Sequence, residues 1–530
     1  MSFSRHEELQ LLALLIAVGA MIFAVGRLRV PYAILLVLGG LALGFVPGLP
    51  QLTLPPDLVL VALLPPLLYS AAFFTSLRDL RENIRAISFL AIGLVGATMV
   101  GVAVVAHIWI DSFGWREAFV LGAIVSPTDA IASTSIARRL GVPRNVVTII
   151  EGESLVNDGT ALVFYRFAIA AAVSGTFSLA EASGRLVLNA AGGIAVGLVV
   201  GFIIREVRRR MPFAPTSITI ALLTGYFAYL PADALGVSGV LAVVTAGVYM
   251  GWHTPLLTTV ETRLQGAAFW QILTFVLNSL LFLLVGLQLP KILDALGGWN
   301  GWTLAVDGAI VSAAVIVMRL LWVFPFTYGP RLLSRRLRER SPAPPWEHAA
   351  LVGWAGLRGS ISLAAALAIP LTTDAGAAFP ERNLIVFLVF CVILVTLVGQ
   401  GLTLPLLIRV LGVEDDGQAD REEAKARIKA AEAALGRLEE LEEEEWVRED
   451  TAERMRGLYG FRRDRFKARF DDGDDGGIEE RSTDYQRLRR ELLEAERQAV
   501  VGLRNAGYIS DEIMYRVTRD LDLEDSRLEI

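Results

Sequence analysis

Two carboxylates stand inside apolar stretches of this 530-residue chain. Asp129 occurs in Ser126-Pro127-Thr128-Asp129-Ala130 and Asp158 in Glu153-Ser154-Leu155-Val156-Asn157-Asp158. An ionisable group at bilayer depth is costly and turns to a partner or a water-filled cavity. Each of these acids has hydroxyl or amide oxygens beside it, and a small hard cation takes such oxygens in place of its hydration water. On a helix, Ser154 and Asp158 are four residues apart and share a face, with Glu151 on the same stripe. Glu153 and Asn157 fall on the neighbouring stripe. Asp158, Ser154, Asp129 and backbone carbonyls near Thr128 therefore form a candidate cation site, with Asn157 counted among its candidate residues, and Glu153 is left to pair elsewhere.

The same site suits protons. Taking a carboxylate out of water penalises its charged form, and a second carboxylate nearby adds to the penalty. A group so placed holds either a proton or a cation, and mutual exclusion combined with alternating access gives exchange. The competing reading is that the acids are buried partners fixing helix packing. Arg358, in Gly356-Leu357-Arg358-Gly359, needs a counter-ion at mid-membrane depth, and Glu153 is the expected partner in a scaffold pair. Arg319 is an accessory charge that pairs with an acid, caps the site or snorkels to the interface. Gln271, Asn278, Gln288 and Gln400 read as helix-to-helix hydrogen bonds.

The elements that must position these residues are membrane helices. The chain is 54% hydrophobic with a mean hydropathy of +0.52, which excludes a soluble globular protein of this size. Its apolar blocks have the length that crosses a bilayer as a helix. Thirteen spans are predicted, at 8–26, 31–49, 57–75, 86–110, 117–138, 147–173, 184–204, 214–231, 237–252, 268–289, 302–329, 348–370 and 383–411. Arginines cluster after the odd-numbered spans: Arg27 and Arg29, Arg78 to Arg85, Arg138 to Arg144, Arg205 to Arg210, Arg263, and Arg331 to Arg340. The alternate loops carry only Arg116, Arg185, Lys291 and Arg382. Basic loops stay in the cytoplasm, so the N-terminus is expected outside the cell membrane and the C-terminal tail inside. Glu7, Glu8 and the absence of a small-residue cleavage site argue for a retained first helix over a signal peptide.

Spans five and twelve are unusual. Pro127 removes a donor beside Asp129, and three glycines surround Arg358. One interrupted helix in each half, at corresponding positions, points to a secondary transporter with inverted repeats and a midplane site. Ordinary kinked packing helices are the alternative. Residues 413–530 form a second unit with 22 basic and 34 acidic residues, against 27 and 21 in residues 1–412. Helices are predicted there at 420–445, 447–469, 484–506 and 510–520, with an acidic linker at 471–477. That balance does not suit nucleic acid. The chain offers no phosphate loop, nucleotide fingerprint or metal cluster. Its four histidines are scattered and Cys391 is its only cysteine, so neither a cofactor nor enzymatic catalysis is expected.

Together, Ser126 to Ala130, Gly152 to Asp158 and Gly356 to Gly359 resemble the bacterial NhaP-type sodium/proton antiporters of the monovalent cation:proton antiporter-1 family. Pro65 to Tyr69 with Leu77 to Arg81, and Phe282 to Pro290, are similar to further stretches of that family. The likeness spans residues 1–411 in order. It implies an all-α polytopic fold of about thirteen transmembrane helices with inverted repeats and two crossing broken helices, the NhaA-like antiporter fold. It also implies a homodimer, each protomer with a six-helix core and a dimerisation domain. Asp158 would bind the cation or proton, aided by Asp129, Ser154 and the Thr128 backbone, with Glu153 paired to Arg358. Asn157 before Asp158 resembles the electroneutral branch, which implies one-for-one exchange of Na+ (or Li+) for H+. A K+/H+ antiporter on the same scaffold is one rival. A cation channel, or a sensor signalling through the tail, is another.

Overall fold

The computed structural model describes residues 31–530 except 48–54, 57, 175–178, 334, 336–338, 340–342, 375, 469–477, 527 and 529–530; of residues 1–30 it describes Gly19, Ala20, Phe23 and Arg27. The first predicted span, 8–26, thus lies almost wholly outside the described residues, as does the linker at 471–477. The chain divides into two compact units, Met1–Glu414 and Asp415–Ile530.

The first unit is helical. It comprises α1 (Tyr32–Gly44), α2 (Leu58–Phe74), α3 (Leu77–Trp109), α4 (Trp115–Val125), α5 (Ala130–Arg139), α6 (Arg144–Ser174) and α7 (Leu179–Arg209). It continues with α8 (Ala214–Ala234), α9 (Gly239–Leu257), α10 (Val260–Asp294), α11 (Gly301–Leu333), α12 (Trp346–Trp354), α13 (Ser360–Leu367) and α14 (Arg382–Val410). Among the described residues, eight helices are long and apolar enough to cross a membrane, counting α4 and α5 together. The chain is an all-α polytopic membrane protein. Helix α3 starts nine residues before the predicted span. Ser76 caps it, its Oγ accepting from Asp79 N–H at 3.2 Å, and the charged turns that follow are helical although too polar to read as membrane.

Small residues let backbones approach. A Cβ added at Gly40 of α1 would lie 2.3 Å from the Leu283 carbonyl oxygen, and one at Gly286 of α10 would lie 2.2 Å from that of Val37. The two helices are sealed face to face by this pair, as expected where packing rather than water drives association. Around the site the core is apolar, with Leu121, Ile124, Leu281, Leu363 and Leu388 all buried in one cluster.

Both expected interruptions are present. Helix α4 stops at Val125 and α5 starts at Ala130; α12 stops at Trp354 and α13 starts at Ser360. The breaks meet: the Asp129 N–H donates to the Leu357 carbonyl at 2.8 Å. This bond satisfies backbone groups that each break exposes, which hydrocarbon cannot do.

The second unit contains α15 (Gln418–Leu441), α16 (Glu449–Ala468), α17 (Ile478–Asn505) and α18 (Asp511–Asp525). Its buried apolar residues are few, among them Phe466, Leu493, Met514 and Leu521. Ion pairs tie α17 to α18, with Arg497 reaching Asp522 at 2.9 Å and Asp525 at 2.8 Å.

Candidate functional site

The α4–α5 break is built around Asp129. Its Oδ1 accepts from Ile131 N–H at 2.8 Å, capping α5. The other carboxylate oxygen faces Gly359: a Cβ there would come within 1.9 Å of Asp129 Oδ2, so only glycine leaves the acid its place. Helix α6 supplies the opposite wall. Ser154 Oγ donates to the Thr128 carbonyl at 3.0 Å and accepts from Ala130 N–H at 3.3 Å. Asn157 Nδ2 donates to Thr128 Oγ1 at 2.7 Å, and Thr128 Oγ1 donates to Glu153 Oε1 at 3.1 Å.

Asp158 stands apart from this network. It is buried, yet among the described residues no hydrogen bond to its carboxylate is present. It lines a cavity of about 290 Å³ together with Asp129, Thr128, Ser154, Asn278 and Ser360. Glu151 and Arg138 line the same cavity and pair at 2.6 Å. The stripe Glu151–Ser154–Asp158 thus faces the cavity, while Glu153 and Asn157 face the broken-helix network behind it; Asn157, expected among the binding residues, does not line the cavity because its amide is bonded to Thr128. Asn278, expected to bond between helices, lines the cavity, and its Oδ1 has no partner among the described residues. Gln400 does bridge elements, donating to the Trp354 carbonyl at 3.1 Å.

The expected Glu153–Arg358 pair is corrected. Glu153 is gripped by Arg319 of α11, at 2.5 Å to Oε1 and 2.7 Å to Oε2. Arg319 also donates to the Val352 carbonyl from Nε at 3.1 Å and from Nη2 at 2.8 Å, just before the α12–α13 break. Gly356 makes the room, since a Cβ there would meet the Arg319 Cδ at 2.3 Å. The planar fork of a guanidinium suits this bidentate grip. Sequence distance hid the partnership, because 166 residues separate the two and Arg319 stands alone in an apolar span.

Arg358 does something else. Its Nε donates to the Val125 carbonyl at 3.0 Å, its Nη1 to the Gly356 carbonyl, and its own N–H to Thr396 Oγ1 at 3.1 Å. Val125 ends α4 and Gly356 follows α12. The guanidinium therefore caps the carbonyl ends of both interrupted helices, where unpaired acceptors and the negative ends of two helix dipoles converge. Carbonyls stand in for the expected carboxylate.

The cavity offers a small cation carboxylate, hydroxyl and carbonyl oxygens, and offers a proton the same unbonded carboxylate. Comparison with known proteins gives the same direction. The family model described as "Sodium/hydrogen exchanger, transmembrane" matches residues 12–410. An uncharacterized Na(+)/H(+) exchanger of Mycobacterium tuberculosis is 37% identical over 507 residues, 95% of this chain and 92% of that protein. A sodium, potassium, lithium and rubidium/H(+) antiporter of Bacillus pumilus is 37% identical over 380 residues, 70% of this chain and 56% of that one. The sodium proton antiporter MjNhaP1 from Methanocaldococcus jannaschii has a similar fold, with a TM-score of 0.62 at 18% identity over 77% of this chain and 99% of that one.

Proposed function

The chain belongs to the sodium/hydrogen exchanger family and is a secondary active cation/H+ antiporter, and from that premise we propose how its residues divide the work. Asp158 is the exchangeable group. It carries either the proton or the cation, and Asp129, Ser154 and the Thr128 carbonyl complete the cation's oxygen shell. The observation that carries this reading is the Asp158 carboxylate, buried and without a hydrogen bond among the described residues, lining one cavity with Asp129, Ser154 and Thr128. Glu153 and Arg319 form the structural pair that holds the broken helices to α6. Asn157 is spent on Thr128 and has no proton to exchange, which supports one-for-one, electroneutral transport.

The cavity reaches Arg138 and Glu151, at the end of α5 that carries the basic loop. With basic loops cytoplasmic, this conformation opens inward, the N-terminus lies outside and the tail lies in the cytoplasm. About thirteen spans, inverted repeats, an NhaA-like arrangement and a homodimer in the cell membrane complete the proposal. Na+, with Li+, is the substrate. K+ is the second reading, favoured by the Bacillus pumilus relative named for potassium among its cations.

In everted vesicles loaded with a pH-sensitive dye, wild-type protein will show proton movement driven by added Na+, and Asp158→Asn will show none. Normal exchange by that variant removes Asp158 from the mechanism. Running the assay with Na+, Li+ and K+ separates the two substrate readings.

A further inference from the structure

A second cavity, of about 410 Å³, lies at the basic end of α7 between α2, α8, α9 and α10. Arg208 lines it and is 4% exposed. One bond engages its guanidinium, from Nε to Ser217 Oγ at 3.1 Å, while Nη1 is buried without a partner. Among the described residues no carboxylate pairs with it. The nearby acid in sequence, Glu206, is taken by Arg209 at 2.9 Å and Arg210 at 2.8 Å. A guanidinium buried with neither counter-ion nor full hydrogen bonding is an expensive arrangement that an anion relieves.

The rest of the cavity suits an anion. Its lining contains no Asp or Glu, but has a second cation, Arg263, and the hydroxyls of Ser76, Thr254 and Thr262. Ser76 is the N-cap of α3, and Thr262 and Arg263 sit in the first turn of α10, so two helix N-termini border the space, their first-turn acids Asp79 and Glu261 lying outside the lining. Its rim is apolar: Trp252 is 60% and Phe74 57% exposed. We propose that this cavity binds a phosphate-bearing anion through Arg208 and Arg263. The head of an anionic phospholipid and a free phosphate share that chemistry. Phe74 and Thr75 line both this cavity and the one holding Asp158, so an occupant here abuts the transport site.

Thermal melting of the purified full-length protein in neutral detergent tests this with two probes, inorganic phosphate and phosphatidylglycerol, with phosphatidylcholine as control. At saturation a specific ligand raises the wild-type melting temperature by a few degrees, on the order expected from binding linkage. A shift with phosphatidylglycerol alone identifies a lipid head; a shift with phosphate identifies a soluble anion or both. Arg208→Gln will reduce the shift to less than half. Arg263 is exposed, so Arg263→Gln retains the fold and decides the matter should Arg208→Gln not be obtained folded. No wild-type shift with either probe, an equal shift with phosphatidylcholine, or a full-size shift in the deciding variant overturns the proposal.

Discussion

Glu153 and Arg319 are each 1% exposed and hold one another through two hydrogen bonds. Breaking such a pair from one side leaves an uncompensated buried charge and costs about 3–5 kcal/mol. Glu153→Ala and Arg319→Ala will each lower the melting temperature of the purified protein markedly. The double variant will lose far less than their sum, because neither charge is left stranded. Glu153→Ala combined with Arg358→Ala will show a much weaker coupling, since Arg358 is held by backbone carbonyls. Equal coupling in the two double variants would restore Glu153–Arg358 as the pair. The residue types at this site were legible in the sequence: Asp129, Ser154 and Asp158 line one cavity because their spacing on α6 and their place at the α5 cap put them there. The choice between two arginines was not legible. Both stand alone in apolar stretches, and only the meeting of the breaks shows that Arg358 has two helix ends to satisfy.

At the scale of elements, the α4–α5 and α12–α13 interruptions work as one unit, joined by the Asp129 to Leu357 hydrogen bond. Proline and glycine betrayed each break, but their meeting is a property of packing that no local pattern encodes. Helix α3 extends beyond the span expected at 86–110 for a related reason. A capped, charged helical start reads as a loop when hydropathy alone decides. Gly359 tests the unit. Gly359→Ala puts a methyl group where Asp129 Oδ2 now sits, so Asp129 must turn from the cavity. The expected result is a rise in the apparent KM for Na+ of about tenfold or more, the size of one lost charge-assisted contact, measured in dye-loaded vesicles. An unchanged KM would show that Asp129 is no part of the cation shell.

At the scale of the molecule, the proposal that one carboxylate serves two ions makes predictions for the whole exchanger. Protons and cations compete, so the apparent KM for Na+ rises as pH falls through the range in which Asp158 takes up its proton, approaching tenfold per pH unit on the acid side. A KM independent of pH over that range would separate the two sites. With Asn157 contributing no proton, clamping the membrane potential leaves the exchange rate unchanged, and a steep voltage dependence would refute one-for-one exchange. Truncation after Val413 measures what the acidic unit does to the pH window, which its composition does not reveal. The central claim is tested most directly by proton release. Na+ added to the purified protein in weakly buffered solution, at a pH where Asp158 is protonated, is predicted to release about one proton per protomer, and Asp158→Asn is predicted to release none. Cation binding without proton release in the wild type, or undiminished release in Asp158→Asn, would contradict the account.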